Sequence, residues 1–283
     1  MRHASAVAGG TGVPHYEQRL LMISANPQPH THAERLAHAH QIAAQLQAHF
    51  GNELLAIGLY GSLARGTDGP YSDIEMWCVL RGEEIDDAYE WTTGPWKAEV
   101  DVRSQDTITH EAAELDGDWA MTHGSFVHVL PLYDPQNLFP ALAEQVFAHT
   151  DAEFDAVMCE VIIGEIYEII GKVRNLAITY PDQLPPMLPF YVISLVRYAA
   201  WLIGLANRRL YTTTSVMLAE SLTLPNQPVG YAELCVNVMS GELSEPEKLY
   251  GLVNRFWEGV EEWAQVRNLK LVQSLGELLA RKM

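Results

Sequence analysis

One stretch constrains this chain more than any other. Ile57 to Leu80 reads IGLYGSLARGTDGPYSDIEMWCVL. Two apolar runs, Ile57–Tyr60 and Ile74–Leu80, flank a segment carrying Gly61, Gly66, Gly69 and Pro70. That composition predicts two neighbouring strands joined by a polar, Gly-rich turn, with one helical turn at Ser62–Arg65. Gly61–Ser62 lets backbone N–H groups approach a bound anion, because glycine has no Cβ and tolerates unusual φ. The Ser62 hydroxyl can donate to a phosphate oxygen, and Arg65 supplies a planar fork suited to phosphate. Asp73 and Glu75 then stand two apart at the start of a strand, so the period of two sends both carboxylates to one face. Two anions side by side repel unless a cation lies between them, and hard oxygen ligands of this kind suit Mg²⁺, which also holds substrate phosphates.

The reading is of a nucleoside triphosphate cradle followed by a divalent-metal pair. A lone Gly-Ser or a lone Asp-x-Glu is weak, and most strand carboxylates simply face water. The order G-S-x-x-R, then D-x-E, between two apolar runs is specific. Lys97–Val102 alternates and predicts a third strand, on which Glu99 and Asp101 share a face. If that strand lies beside the one bearing Asp73, a third carboxylate joins the pair. The residues themselves leave open whether it is Glu99 or Asp101. Glu90 sits among aromatics and is a candidate contact for an amine, or equally a solvated loop acid.

Composition narrows the class. A chain of 283 residues can bury a large core and accommodate two domains. Its net charge of −18 argues strongly against a nucleic-acid substrate and favours a cationic partner. Cys78, Cys159 and Cys235 form no CxxC pair and read as buried thiols in a reducing cytoplasm. No secretory signal is expected. The longest apolar stretch, Tyr191–Ala206, contains Arg197 and is expected to fall short of a bilayer span and to serve as a core or interface helix.

In chain order, residues 1–31 are expected to form a loose arm with a short helix around Tyr16–Ile23. Seven of the eleven histidines fall between His3 and His49, at spacings that fit no usual metal motif. His32–Phe50 predicts an amphipathic helix ended by Gly51–Asn52. Ile108–Leu115 predicts a helix, and Thr122–Leu130 a loop running into a last strand that ends at Pro131 and Asp134–Pro135. From Leu138 the periods are helical. Phe154–Ile170, Tyr191–Ala206, Val216–Leu222, Tyr231–Val238 and Pro246–Trp263 are the helices, the last with Ser244 as its N-cap. The expected architecture is a mixed α/β (α+β) domain with a mixed sheet, residues 32–137, followed by an α-helical bundle, residues 138–283. Glu168 and Lys172, four apart on the first strong helix, share a face and could be an ordinary surface pair.

The stretches YGSLARGTDGPYSDIEMWCV, EWTTGPWKAEV, THGSF, GKVRN, YTTTSVML, GYAELCVNVMSGELSEPEKL and FWEGVEEW resemble the aminoglycoside 4′-O-nucleotidyltransferase (kanamycin nucleotidyltransferase) family, within the DNA polymerase β-type superfamily. They run from about Ala56 to Trp263 and leave the first thirty and last twenty residues uncovered. The resemblance implies adenylyl transfer from MgATP to a sugar hydroxyl of a kanamycin-like antibiotic, at the 4′ position, with release of pyrophosphate and antibiotic resistance. It implies that Ser62, Arg65 and Lys172 hold the triphosphate. Asp73 and Glu75, with Glu99 favoured over Asp101, bind metal, and Glu168 is the general base. Glu90, Glu99, Asp101 and Glu165 are the acids expected to face the substrate. It further implies a cytoplasmic homodimer in which the partner supplies the Glu168 helix. Two alternatives remain at this point: a nucleotidyltransferase acting on a lincosamide or a protein, and a non-catalytic partner of a toxin. The intact Ser62, Arg65, Asp73 and Glu75 and the long second half argue against the latter.

Overall fold

The computed structural model describes residues 26–82, 84–180 and 183–281. The helix expected around Tyr16–Ile23 therefore lies outside the described residues. Helix α1 (His32–Phe50) opens on a capping box: the Glu34 amide donates to Thr31, and the Thr31 amide donates back to the Glu34 carboxylate. A short 3₁₀ turn at Gly51–Glu53 leads into β1 (Leu54–Tyr60). Helix α2 (Gly61–Arg65) and a loop then connect β1 to β2 (Ile74–Leu80).

The third predicted strand is β4 (Lys97–Ser104), but another strand precedes it: β3 (Asp86–Thr92). Glu90 thus lies on an edge strand, not in a loop. β3 is exposed along almost its whole length, so no apolar alternation marks it. The last strand, β5 (Leu130–Tyr133), begins where the sequence pattern ended it, and Pro131 is inside it at the sheet edge, where a missing N–H is tolerated. The sheet order is β3-β4-β2-β1-β5. β2 and β4 run parallel and the other neighbours antiparallel, so the sheet is mixed.

Alternation along the two parallel strands decides what faces where. On β2, Ile74, Met76, Cys78 and Leu80 pack toward α1; on β4, Ala98, Val100 and Val102 do the same. The opposite face presents Trp77 and Val79 to the helical half, where they join one continuous apolar cluster with the later helices. Glu75, Glu99 and Asp101 have the same parity as Trp77, so they lie on this second face.

Between β4 and β5 lie α3 (Gln105–Ala112), close to the helix expected over Ile108–Leu115, α4 (Trp119–Thr122) and α5 (Gly124–Val127), the last a short helix where a loop was expected. The helical half contains α6 (Leu138–Val146), α7 (Asp151–Val161), a π-helical turn at Ile162–Ile166 and α8 (Tyr167–Thr179). It continues with α9 (Leu188–Ala206), α10 (Met217–Ser221), α11 (Tyr231–Met239), α12 (Pro246–Val266) and α13 (Leu275–Arg281). Helix α12 starts with Glu245 at the cap position and no side-chain cap bond, so Ser244 does not cap it. With Leu188, Pro189 and Phe190 included, α9 is 19 residues long, and it is the one helix among the described residues that is long and apolar enough to cross a membrane. It does so only by length and composition: 56% of its apolar window is buried, and Val192, Leu195, Val196 and Ala199 are at the centre of the core. Cys78 and Cys235 are buried as expected, whereas Cys159 is only half-buried.

One buried ion pair fixes the loop that leads to Asp73. The Arg35 side chain, 2% exposed, donates from Nε to Asp68 Oδ2 at 2.9 Å, and from Nη1 to the carbonyls of His30 at 2.9 Å and Pro70 at 3.1 Å. His32 Nδ1 meets the other Asp68 oxygen at 2.6 Å. Burial opposes ionisation of Asp68, but the hydrogen bonds from Arg35 and His32 outweigh it and hold its carboxyl below the usual range. Removing one partner strands the other as an unpaired buried charge. Arg35→Ala should therefore lower the unfolding free energy by about 3–5 kcal/mol, read by urea denaturation, while Arg81→Ala should change it by under about 1 kcal/mol.

Candidate active site

The first strand ends in a geometry only glycine allows. Gly61 has φ of 71°, and a Cβ added there would fall on the Glu75 carboxylate. Helix α2 then turns Ser62 and Arg65 toward a cavity of about 980 Å³ and stops at Gly66, whose left-handed φ of 66° caps it. The sheet side of the cavity carries Ser62, Arg65, Glu75 and Trp77; the facing side carries the hydroxyl-rich run from Thr212 to Ser215, and Glu220. The predicted helical turn and the association of Ser62, Arg65 and Glu75 are thus present in one place. The contribution of Thr212–Ser215 is not something local pattern reveals. Four consecutive hydroxyl residues were the available signal, but nothing local says that they return to the β1–β2 turn.

The carboxylates are brought together by strand register. Glu75 on β2 lies directly beside Glu99 on β4, and Trp77 beside Asp101. Burial, then the charges of Asp73 and Glu99, push the Glu75 carboxyl up to about 7; Arg65 and Lys97 oppose this. Burial and Asp101 also raise Glu99. The two candidates for third carboxylate differ in their partners. Asp101 accepts a hydrogen bond from the Tyr60 hydroxyl at 2.7 Å and lies 3.5 Å from Arg103. Glu99 has only a 3.9 Å contact with Lys97, whose ammonium pairs more closely with Glu90 at 2.6 Å. Glu90 is register partner to Glu99, so Glu75, Glu99 and Glu90 form one row across three strands.

Among the described residues no three His, Cys, Asp or Glu side chains are close enough together to form a ready-made metal cage. Mg²⁺ does not need one: it is usually held by one or two carboxylates plus substrate phosphates and water. The crowded Glu75 carboxyl, short of compensating charge, has the chemistry of such a ligand.

Glu165, Glu168 and Lys172 are elsewhere. Glu165 lies in the π-helical turn and the other two on α8, and none of them lines the cavity. The Glu168 carboxylate meets Lys172 Nζ at 2.6 Å, with the side chains 61% and 46% exposed, and Lys172 lies 5.7 Å from the Tyr191 ring centre. A π turn shifts the helical register by one residue and often marks a functional segment. Here it carries Glu165 and sets the face on which Glu168 emerges.

Residues 136–270 match the KNTase C-terminal domain family. The chain is 39% identical over 235 residues to an aminoglycoside nucleotidyltransferase (4′) from a Bacillus species, and equally to one from Staphylococcus aureus; each match covers 83% of this chain and 92% of the relative. A crystal structure of a nucleotidyltransferase-like protein from Exiguobacterium sibiricum shares the fold, with a TM-score of 0.50 at 12% identity, over 81% of this chain and 75% of that one.

The shifted Glu75 carboxyl has a measurable consequence. The folded chain keeps this proton to about pH 7, the unfolded chain only to about 4.5. Between those values the folded state binds more protons, so the contribution of Glu75 to stability falls as pH rises, and above 7 the whole penalty is felt. Glu75→Gln should therefore stabilise the protein at pH 8 without divalent cation by about 1–3 kcal/mol. The gain should shrink toward zero at pH 4.5, as followed by thermal unfolding at both values.

Proposed function

The chain belongs to the aminoglycoside (4′) nucleotidyltransferase family, and on that premise we propose that it transfers AMP from MgATP to the 4′-hydroxyl of kanamycin-like antibiotics. The acceptor oxygen bonds to the α-phosphorus, the bond to the β-phosphate oxygen breaks, and pyrophosphate leaves with its electron pair. The observation that carries the reading is that Ser62, Arg65 and Glu75 line one cavity, with Glu99 beside Glu75 on the neighbouring strand.

Ser62 and Arg65 bind and orient the phosphates, as a hydroxyl and a planar cation suit. Asp73 and Glu75, assisted by Glu99, would hold Mg²⁺ together with the substrate phosphates and water, and the bound ion would neutralise phosphate charge. Asp101 is already engaged by Tyr60 and Arg103, which is why Glu99 is preferred. The row continuing to Glu90, together with Glu165, draws the ammonium groups of the acceptor, and the net charge of −18 favours its approach. A sugar hydroxyl is a poor nucleophile at neutral pH, and Glu168 takes its proton while Lys172 contacts the triphosphate.

Because Glu168 and Lys172 do not line the cavity of their own chain, the reading requires a homodimer in which each site borrows α8 from the partner. Support comes from the apolar groups exposed near them: Tyr167 is 60% exposed, Phe190 62% and Ile193 44%. Within this scheme the sheet region, residues 32–137, carries metal and phosphates, and the helical region, residues 138–283, carries base and subunit contact. The reaction takes place in the cytoplasm, where ATP, Mg²⁺ and the antibiotic's ribosomal target coexist, and the adenylated drug no longer fits that target.

Mass spectrometry of kanamycin incubated with the protein and ATP, with and without Mg²⁺, tests the reading. One adenylate should be gained only with metal, and an aminoglycoside without a 4′-hydroxyl should stay unmodified. Modification of that second drug would overturn the regiochemistry. Glu168→Gln should still bind MgATP and drug while its turnover falls by about 10²–10⁴-fold; normal turnover would remove Glu168 from the base role.

A further inference from the structure

Glu220 is a carboxylate on the wall of a cavity assigned to a triphosphate, which is an unfavourable place for a negative charge unless it is engaged. It is engaged. The Thr212 amide donates to Glu220 Oε2 at 2.8 Å, and the Thr212 hydroxyl donates to Oε1. One residue earlier, Tyr211 is buried and fixed at both ends: its amide donates to the Ala120 carbonyl at 2.7 Å and its hydroxyl to the Ala200 carbonyl at 2.6 Å. Tyr211 and Glu220 therefore hold the start of the hydroxyl run from the two sides, and α10 holds Glu220 through its amide, bonded to the Val216 carbonyl at 2.9 Å.

Across the cavity, Arg65 has a buried Nε with no hydrogen-bond partner and no ion pair among the described residues. Two carboxylates, Glu75 and Glu220, line the same cavity as its guanidinium and act on it. A guanidinium left with Glu75 alone would compete with a cation for that carboxylate. A second negative group removes the need.

We propose that Glu220 is a positioning residue of the nucleotide site, holding the Thr212–Ser215 loop over the cavity and giving Arg65 a counter-charge other than Glu75. The proposal rests on the nucleotide-binding reading above. Its two parts separate by substitution. Glu220→Ala leaves the Thr212 amide unpaired and removes the charge. Glu220→Gln restores an acceptor for that amide but leaves no charge, so Arg65 turns toward Glu75.

Titration calorimetry of the full chain with ATP over a range of Mg²⁺ concentrations reads both parts, with thermal unfolding alongside to monitor the fold. Glu220→Ala should weaken MgATP binding about tenfold and Glu220→Gln by less than about threefold. Both should need about three times more Mg²⁺ for half-maximal binding than the wild type. A defect of folding alone would not raise the magnesium requirement of Glu220→Gln. Wild-type affinity in Glu220→Ala, or wild-type magnesium dependence in Glu220→Gln, would overturn the assignment. A wild-type chain that binds no MgATP would instead overturn the nucleotide site itself, and this role with it.

Discussion

Parallel pairing of β2 with β4 places the Glu75 and Glu99 carboxylates beside one another on a half-buried sheet face. Nothing among the described residues neutralises this pair fully. Arg65 and Lys97 oppose the shift in Glu75 but do not cancel it, and the carboxyl stays protonated to about pH 7. Like charges held this close cost stability unless a cation relieves them, and that cost is the physical ground on which a divalent-ion site is proposed. The surrounding structure serves to keep the pair in place. Apolar side chains of alternate parity bind both strands to α1, and Gly61 leaves the space that the Glu75 carboxylate fills.

The loop between the phosphate-facing turn and Asp73 needs the same rigidity. It obtains it from the Arg35–Asp68 pair, buried under α1, which joins the Gly66–Ser72 segment to the start of the first helix. The far wall of the cavity comes from the helical half, where Tyr211 and Glu220 hold the hydroxyl loop. The cavity is therefore formed between two halves that share one apolar cluster, from Trp77 and Val79 on the sheet to Val192 and Leu195 on α9. A shared core of this kind keeps the walls at a fixed separation, as positioning of a reacting phosphate requires.

Much of this could be read from residue order. The period of two put Glu99 and Asp101 on one face of β4, as the register has them, and the helical periods gave the bundle. What escaped was of two kinds. β3 is an exposed edge strand, so its side chains carry no burial pattern, and Glu90 could not be assigned to it. The start of β5 was hidden because Pro131 reads as a breaker, although at a sheet edge it is harmless. The second kind is long-range. Pairing of Tyr60 and Arg103 with Asp101, which separates its role from that of Glu99, joins residues far apart in sequence. So do the return of Thr212–Ser215 to the Ser62 turn and the approach of Glu220 to Arg65. The spacing of Glu168 and Lys172 allowed the exposed surface pair that they form, but not their separation from the cavity.

The central claim is that each site joins the Asp73–Glu75–Glu99 cluster of one subunit to Glu168 of another. Subunit complementation tests it most directly. Glu75→Gln and Glu168→Gln chains would each be assayed alone for kanamycin adenylation, then co-expressed in equal amounts and assayed again. Random pairing makes half the dimers mixed, and each mixed dimer rebuilds one intact site, so the account predicts recovery of about a quarter of wild-type activity. If the mixture is as inactive as its two parents, the cluster and Glu168 act within one chain, and the shared site is contradicted.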